Sequence, residues 1–481
     1  MSASALTKDT AGWRLAGWPC HQTASSVIGA AMGFMSYLAA DGYGILVFTA
    51  GLIATYTRLF DALIDPFLAL ITDRVNTRFG RLRVLTIVGR AIQVLCLFAL
   101  FFWFLGSGPV VFTVICCIYY VGASICAIAT HTGNAIITRD PKRRPILYRW
   151  LMIFSTVIST LISVYMSKVL FPKYRGLTIG AFQELCLTSL LVVLVLEIIA
   201  LVAISPMDRP EMFPKKKSGG NVNLKDTFNV LVKNRALQMY LVAAVSDKIA
   251  SRASTEAVVT TLLWGILINN YEWSGNLSMI QLPFTIFILF VGSYLGGKYG
   301  AKKTCIQWTT INMVLTGAML LLFVVTDPTN ITKAFLPTAI FVVLFIARMC
   351  ANTVLSATTQ SMIPDIVDYE LSRSGAFVPG VIGTLQSLID ELFSSVSSTI
   401  VAFCVTMIGY VSTQPQPGDA SSPQLFWMTM FVWLGLPVIG WICNYIAMAF
   451  YPLSREKMVE VQEKNAAFRA EQKVQSESAA K

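Results

Sequence analysis

Apolar residues gather along this chain into runs at approximately 23–40, 44–72, 84–106, 109–138, 146–171, 182–205, 237–269, 276–297, 304–326, 334–363, 377–412 and 424–450. Each run is long enough to cross ~30 Å of hydrocarbon as a helix, and several have length to spare for tilt. The pattern predicts an all-α integral membrane protein with twelve transmembrane helices in two six-helix halves. An N-terminal half over 1–205 and a second half over 237–452 are separated by a linker over 206–236, and a tail follows over 453–481. The linker holds Pro206, Pro210, Pro214 and the run KKKSGG, with a short amphipathic helix expected around Leu224 to Val232. An even number of crossings puts both termini on one side.

Basic residues fix that side. Arg74, Arg78, Arg81 and Arg83 follow the second run, and Arg139, Lys142, Arg143 and Arg144 follow the fourth. Lys215, Lys216, Lys217, Lys225, Lys233 and Arg235 follow the sixth, and Lys298, Lys302 and Lys303 the eighth; the opposite loops hold few, chiefly Lys173 and Arg175. Both termini are therefore expected in the cytoplasm. Composition agrees with a multi-pass chain: 55% of residues are hydrophobic and 13% charged, against about one-quarter charged in soluble domains. The net charge of +11 then reads as this topology signal plus attraction to anionic lipid, not as nucleic-acid binding. Cys96, Cys116, Cys117, Cys126, Cys186, Cys350, Cys404 and Cys443 all fall inside apolar runs, so no disulfide framework is expected, and two histidines argue against a catalytic metal site. The first residues lack the short apolar core and cleavage site of a removed signal, so the first span is expected to be retained.

Charges inside the apolar runs change the picture most. In the second run, Arg58, Asp61 and Asp65 are spaced to share one helix face. Asp61 lies ten residues from the end of the run near Ile71, ~15 Å along a helix and about half the hydrocarbon thickness. Two carboxylates near the bilayer midplane mark an ion or proton path, because one arginine neutralises only one of them. The alternative is a structural ion pair with Arg58.

The two halves echo each other weakly. TDRVNTRFGRLR (72–83) follows the second run, and GSYLGGKYGAKK (292–303) stands at the matching place after the eighth, as in transporters built from repeats around a central site. Asp61, Asp65-Pro66, Asp73-Arg74 and Arg78-Phe79-Gly80-Arg81, together with MIPDIVDY (362–369) and Gln386, resemble the major facilitator superfamily. Within it they resemble the glycoside-pentoside-hexuronide:cation symporters, the melibiose permease group. The resemblance implies the major facilitator fold and a sugar-type solute moving with Na+ or H+, with Asp61 and Asp65 at the positions of the cation-binding acids. Physics agrees independently: two close carboxylates in low dielectric favour uptake of a cation or a proton.

The departures are informative. The acid of that family's fourth span is replaced around Ala129 and Thr130, the first-span acid by Ala24, Ser25 and Ser26, and the Lys of the eleventh span by Asp390 and Glu391. The seventh run instead carries Asp247, Lys248, Arg252 and Glu256, the last three at helical spacing. Lys248 and Arg252 either hold an anionic group of the solute or pair with Asp247, Glu256, Asp390 or Glu391 as a structural or gating network. His131 and Arg149 are candidates for solute contact, and Arg348 for pairing with an acid. Of the tryptophans Trp103, Trp264, Trp427, Trp433 and Trp441, most read as interfacial belt or packing residues, and Trp264 is the candidate for stacking on the solute. Asp73, Arg74, Gly80 and Arg81 in one half, and Asp365, Asp368 and Arg373 in the other, form loop clusters able to latch and release the halves.

No phosphate-cradling loop, paired-histidine motif or nucleophile elbow is present, so the chain does not read as an enzyme. The expected function is secondary active transport, with H+ or Na+ driving symport of a small polar solute across the cell (inner) membrane. Asp61 and Asp65 are expected to bind the cation, and Arg252, Lys248, Arg149, Gln386, His131 and Trp264 the solute. Arg58, Asp247, Glu256, Arg348, Asp390 and Glu391 complete the charge network. No cofactor is expected beyond the coupling ion, no metal beyond possible Na+ at the aspartates, and no partner beyond solute and membrane lipids, one chain sufficing. Two other readings compete. One is an organic-anion or lysolipid-type carrier on the same scaffold. The other is a transport-inactive membrane sensor or assembly partner, which would tolerate neutral substitutions at Asp61 and Asp65.

Overall fold

The apolar runs emerge as helices, and every regular element among the described residues is helical. The structure, a computed structural model, describes residues 12–72, 75, 77, 79–137, 144–208, 231–374 and 379–465. Asp73, Arg74 and the linker over 209–230 lie outside the described residues.

The helices are α1 (Gly12–Gly42), α2 (Val47–Thr72), α3 (Arg81–Trp103), α4 (Pro109–Ile136), α5 (Arg144–Tyr165), α6 (Ile179–Ile204), α7 (Arg235–Ser254), α8 (Ala257–Leu267), α9 (Glu272–Tyr299), α10 (Ala301–Val325), α11 (Phe335–Ser374), α12 (Pro379–Met407) and α13 (Pro423–Phe450), with a tail helix α14 over 455–465. Among the described residues ten stretches are long and apolar enough to cross a membrane, consistent with the expected count of twelve.

The seventh run departs from its expected form. Its helix stops at Ser254, and Glu256 is extended (φ −60°, ψ 148°), its carbonyl opening α8 by accepting from Thr260. The cause is local: the hydroxyls of Ser254 and Thr255 donate back to the carbonyl of Ser251 at 3.0 and 2.9 Å, competing with the helical ladder. Lys248, Arg252 and Glu256 therefore do not share one continuous helix face. Glu256 lies beyond the end of α7.

The chain forms two compact units. The first holds residues 1–218, 256–282 and 398–429; the second holds 219–255, 283–397 and 430–481. In the first unit α3 and α4 cross at glycines. A Cβ on Gly89 would lie 2.9 Å from the carbonyl of Gly122, and one on Gly122 would lie 2.8 Å from that of Gly89. Small residues at such a crossing let two backbones approach, which is how helices associate where lipid removes the hydrophobic drive. Leu68, Leu85, Ile125 and Ala129 fill the space between α2, α3 and α4. Gly51 of α2 leaves room for Ala402 at the end of α12. In the second unit Tyr240, Leu355, Met362, Ile366, Trp441 and Met448 form the core, and Gly440 of α13 fits against the carbonyl of Ser246 on α7.

Candidate functional site

On α2 the large apolar residues Tyr56, Phe60, Leu63, Phe67 and Ile71 recur at helical spacing and are all exposed, a stripe suited to lipid. Arg58, Asp61 and Asp65 fall on the opposite side of the helix. Asp61 is fourteen residues from Val47 and eleven from Thr72, so it sits ~16–21 Å from either end, near the middle of the span. The α3–α4 glycine crossing holds α4 where Ser124, itself buried, donates its hydroxyl to the Asp61 carboxylate. Asp65 is half-buried, and its Oδ1 is buried without a hydrogen-bond partner. Arg58 hydrogen-bonds Tyr120 of α4 and lies within electrostatic reach of Asp61 and Glu256. Glu256 accepts from Ser398 at 2.6 Å.

This cluster in the first unit thus gathers three carboxylates and one guanidinium, with one carboxylate oxygen left unsatisfied. A buried acceptor with no donor costs about 1–3 kcal/mol, and neighbouring carboxylates repel. A small cation or a proton relieves both penalties. Ser124 was not singled out from sequence, because a lone serine in an apolar helix carries no periodic signal.

The remaining candidates are dispersed. In the first unit His131 on α4 and Arg149 on α5 have exposed side chains, whereas Trp264 in α8 is buried at 5% and packs as a core residue. Arg252 in the last turn of α7 is exposed, and Gln386 on α12 is half-buried. Lys248 pairs with Asp390 at 3.3 Å, Asp247 accepts from the indole of Trp441 at 3.3 Å, and Glu391 is half-buried. Because the Lys248–Asp390 pair is partly solvent-accessible (43% and 30%), a double-mutant cycle with Lys248→Met and Asp390→Asn on thermal stability is expected to return a coupling of only about 0.5 kcal/mol. A coupling several times larger would mark a desolvated pair.

Arg348 was expected to meet an acid. Its guanidinium instead lies over the ring of Trp433, 5.3 Å from the centroid, and no ion pair to it is found among the described residues. Its Nε is buried without a partner.

The expected loop clusters are anchored by residues that the sequence did not flag. Gly80 (φ +96°) leads into α3 with no side chain to cap it. Asp208, 2% exposed beyond the end of α6, supplies the acceptor: its carboxylate takes the backbone N–H groups of Arg81, Leu82 and Arg83 at 2.8, 2.9 and 2.9 Å, and Nε of Arg83 at 3.3 Å. A Cβ on Gly80 would collide with this carboxylate. In the second unit Arg373 pairs with Glu370 at 2.8 Å, not with Asp365 or Asp368, and the carbonyl of Asp368 accepts from Asn465 of α14.

Residues 23–455 match the family of MFS/sugar transport proteins. Among curated proteins the chain is 23% identical to a putative glycoside/cation symporter, YagG of Escherichia coli, over 93% of this chain and 92% of that one. It is 20% identical to the isoprimeverose transporter of Lactiplantibacillus pentosus (90% and 87%) and 23% identical to a glucuronide carrier protein homolog of Escherichia coli (90% and 90%). Its fold is similar to that of the nucleoside transporter NupG (TM-score 0.59, 11% identity, 92% of this chain and 99% of that one). It is also similar to the transporter FucP in its outward conformation (TM-score 0.52, 11% identity, 92% and 98%). With helices fit to span a bilayer and a match over most of its length, the chain belongs to the MFS/sugar transport protein family.

Proposed function

We propose that this membrane transporter couples uptake of a sugar, glycoside or sugar-acid-like solute to inward flow of Na+ or H+ across the cell (inner) membrane, with both termini cytoplasmic. The observation that carries the reading is the unsatisfied Asp65 oxygen beside Asp61, on the face of α2 turned away from its exposed apolar stripe. The relatives named as a glycoside/cation symporter, an isoprimeverose transporter and a glucuronide carrier support the solute class. Asp61 and Asp65 hold the cation; the exposed His131, Arg149 and Arg252, with Lys248 and Gln386, are the proposed solute contacts. Gly80 and Arg81, with Asp365, Asp368 and Arg373, belong to the gates.

A second reading, an organic-anion carrier on the same scaffold, is favoured by Arg348. A guanidinium in a spanning helix with no acid beside it among the described residues is costly, and a carboxylate or phosphate on the solute would neutralise it. Thermal-shift screening of the purified protein, with and without Na+ and at two pH values, separates the readings. Stabilisation by uncharged glycosides that strengthens with Na+ or with acid supports sugar symport. Stabilisation confined to acids, and lost in Arg348→Gln, supports the anion carrier. Binding insensitive to both Na+ and pH would sink the coupling.

A further inference from the structure

A second charged cluster lies in the first unit, on α1, α3, α4 and α6, away from the α2 aspartates. His21, Arg90, Gln93 and Glu197 are 0%, 5%, 2% and 6% exposed. Nδ1 of His21 lies 2.6 Å from Oε1 of Glu197, and Nε2 lies 3.2 Å from the carbonyl oxygen of Cys126. Arg90 approaches Oε2 of Glu197 at 3.3 Å and donates to Gln93, to the hydroxyl of Ser25 and to the carbonyl of His21. Trp18 stacks on the imidazole at 5.2 Å and anchors its own N–H on Asn134. His21 is nine residues into α1 and Arg90 nine residues into α3, each ~14 Å from its helix start and within the span.

Both ring nitrogens of His21 therefore face acceptors, one a carboxylate and one a peptide carbonyl. A neutral imidazole has one N–H and one lone pair, so it satisfies only one of these contacts and sets its lone pair against the other oxygen. The doubly protonated ring satisfies both. Charge pulls the other way: with the ring protonated the buried cluster holds two positive groups against one carboxylate, and with the ring neutral Arg90 and Glu197 balance. Hydrogen bonding favours the proton and desolvation favours its loss. A site held between these opposed terms can exchange its proton.

We propose that His21 and Glu197 form a proton-binding site, distinct from the Asp61–Asp65 pair, whose occupancy makes or breaks one of the hydrogen bonds between α1 and α4. Loaded, the imidazolium bridges Glu197 of α6 and the Cys126 carbonyl of α4. Emptied, Nε2 no longer donates and this one hydrogen bond to α4 is lost, while Nδ1–H keeps the link to α6 and Trp18 keeps its own bond to Asn134 of α4. The same stretch of α4 carries Ser124, which holds Asp61, so the two sites share one helix. Other titratable groups near the cluster are Cys20 on α1, and Cys126 and Tyr119 on α4; on α5, which also packs on α1, the charged side chain described, Arg149, is exposed.

The chain has only two histidines, so nitrogen-15 labelling of histidine in the full-length protein in lipid nanodiscs reads the site directly, with His131→Asn assigning the signals. Scanned from about pH 5 to about pH 9, where imidazole changes charge, His21 is expected to pass from two protonated nitrogens to Nδ1–H alone. Glu197→Gln should make it release its proton at roughly tenfold higher proton concentration, since the carboxylate favours the charged ring, and Asp61→Asn should leave the transition in place. A single protonation state across the whole scan overturns the proposal, and the unsubstituted protein suffices to show it. So does a transition indifferent to Glu197→Gln, and one that Asp61→Asn moves as far as Glu197→Gln does would make the two sites one.

Discussion

Asp61→Asn and Asp65→Asn are each expected to abolish accumulation of solute against its gradient while leaving exchange of internal for external solute measurable. A cation moving inward with each solute molecule draws on about 2.3 kcal/mol per 100 mV of membrane potential, enough for roughly fifty-fold accumulation. An asparagine keeps an acceptor for the Ser124 hydroxyl, so the α2–α4 contact survives, but it carries no charge to balance a cation. Accumulation in vesicles with an imposed gradient should fall from tens-fold to equilibration. Arg58 sets the asymmetry between the two variants. It lies within reach of Asp61, so Asp61→Asn also removes an anionic neighbour of the half-buried Arg58, and some loss of stability is expected with it. The unpartnered Oδ1 of Asp65 has no such dependent, and Asp65→Asn should behave as the cleaner uncoupled carrier. Normal accumulation in both variants would remove the coupling role from this pair.

Asp208→Ala is expected to produce the largest loss of stability among single substitutions outside the spans. The carboxylate accepts the three opening N–H groups of α3, beginning at Arg81, in a position from which water is excluded. Losing an ordinary N-cap costs about 1 kcal/mol, and each buried donor left unmade about 1–3 kcal/mol. Allowing for partial relaxation, a loss of about 2–4 kcal/mol is expected, read as a lower unfolding midpoint in detergent. Asp208→Asn should fall between, since an amide offers one acceptor oxygen in place of two. Gly80→Ala is also destabilising, for two reasons that a double substitution separates. Its φ of +96° strains any Cβ, and the Cβ collides with Asp208. If the collision dominates, Gly80→Ala costs less in the Asp208→Ala background; equal cost in both backgrounds would assign the effect to the backbone alone.

The loop clusters illustrate how far linear reading reaches. TDRVNTRFGRLR stood out by its glycine and basic residues, yet what holds the start of α3 is an aspartate that follows α6. One clue was local: a helix opening after Gly80 without Ser, Thr, Asp or Asn must find its cap elsewhere. Arg90 and Glu197 were visible as charges inside apolar runs, the same signal that drew attention to Asp61 and Asp65. Their convergence on His21 was not visible. The seventh run misled because Lys248, Arg252 and Glu256 stand at helical spacing in the sequence, while the hydroxyls of Ser254 and Thr255 end the helix by donating to the carbonyl of Ser251.

Sequence alone determined the membrane class, the approximate positions of most spanning helices and the placing of Asp61 near the middle of α2, with Asp65 one turn further on the same face. Those properties follow from local hydrophobic runs and a fixed rise per residue, which need no knowledge of neighbours. Only the tertiary structure decided the pairings: Asp61 with Ser124, Lys248 with Asp390, Arg348 with Trp433, Asp208 with the opening of α3, and His21 between Glu197 and Cys126. Each joins groups on separate helices, and a contact between distant segments is selected by the packing of whole helices, which imprints no period on the chain.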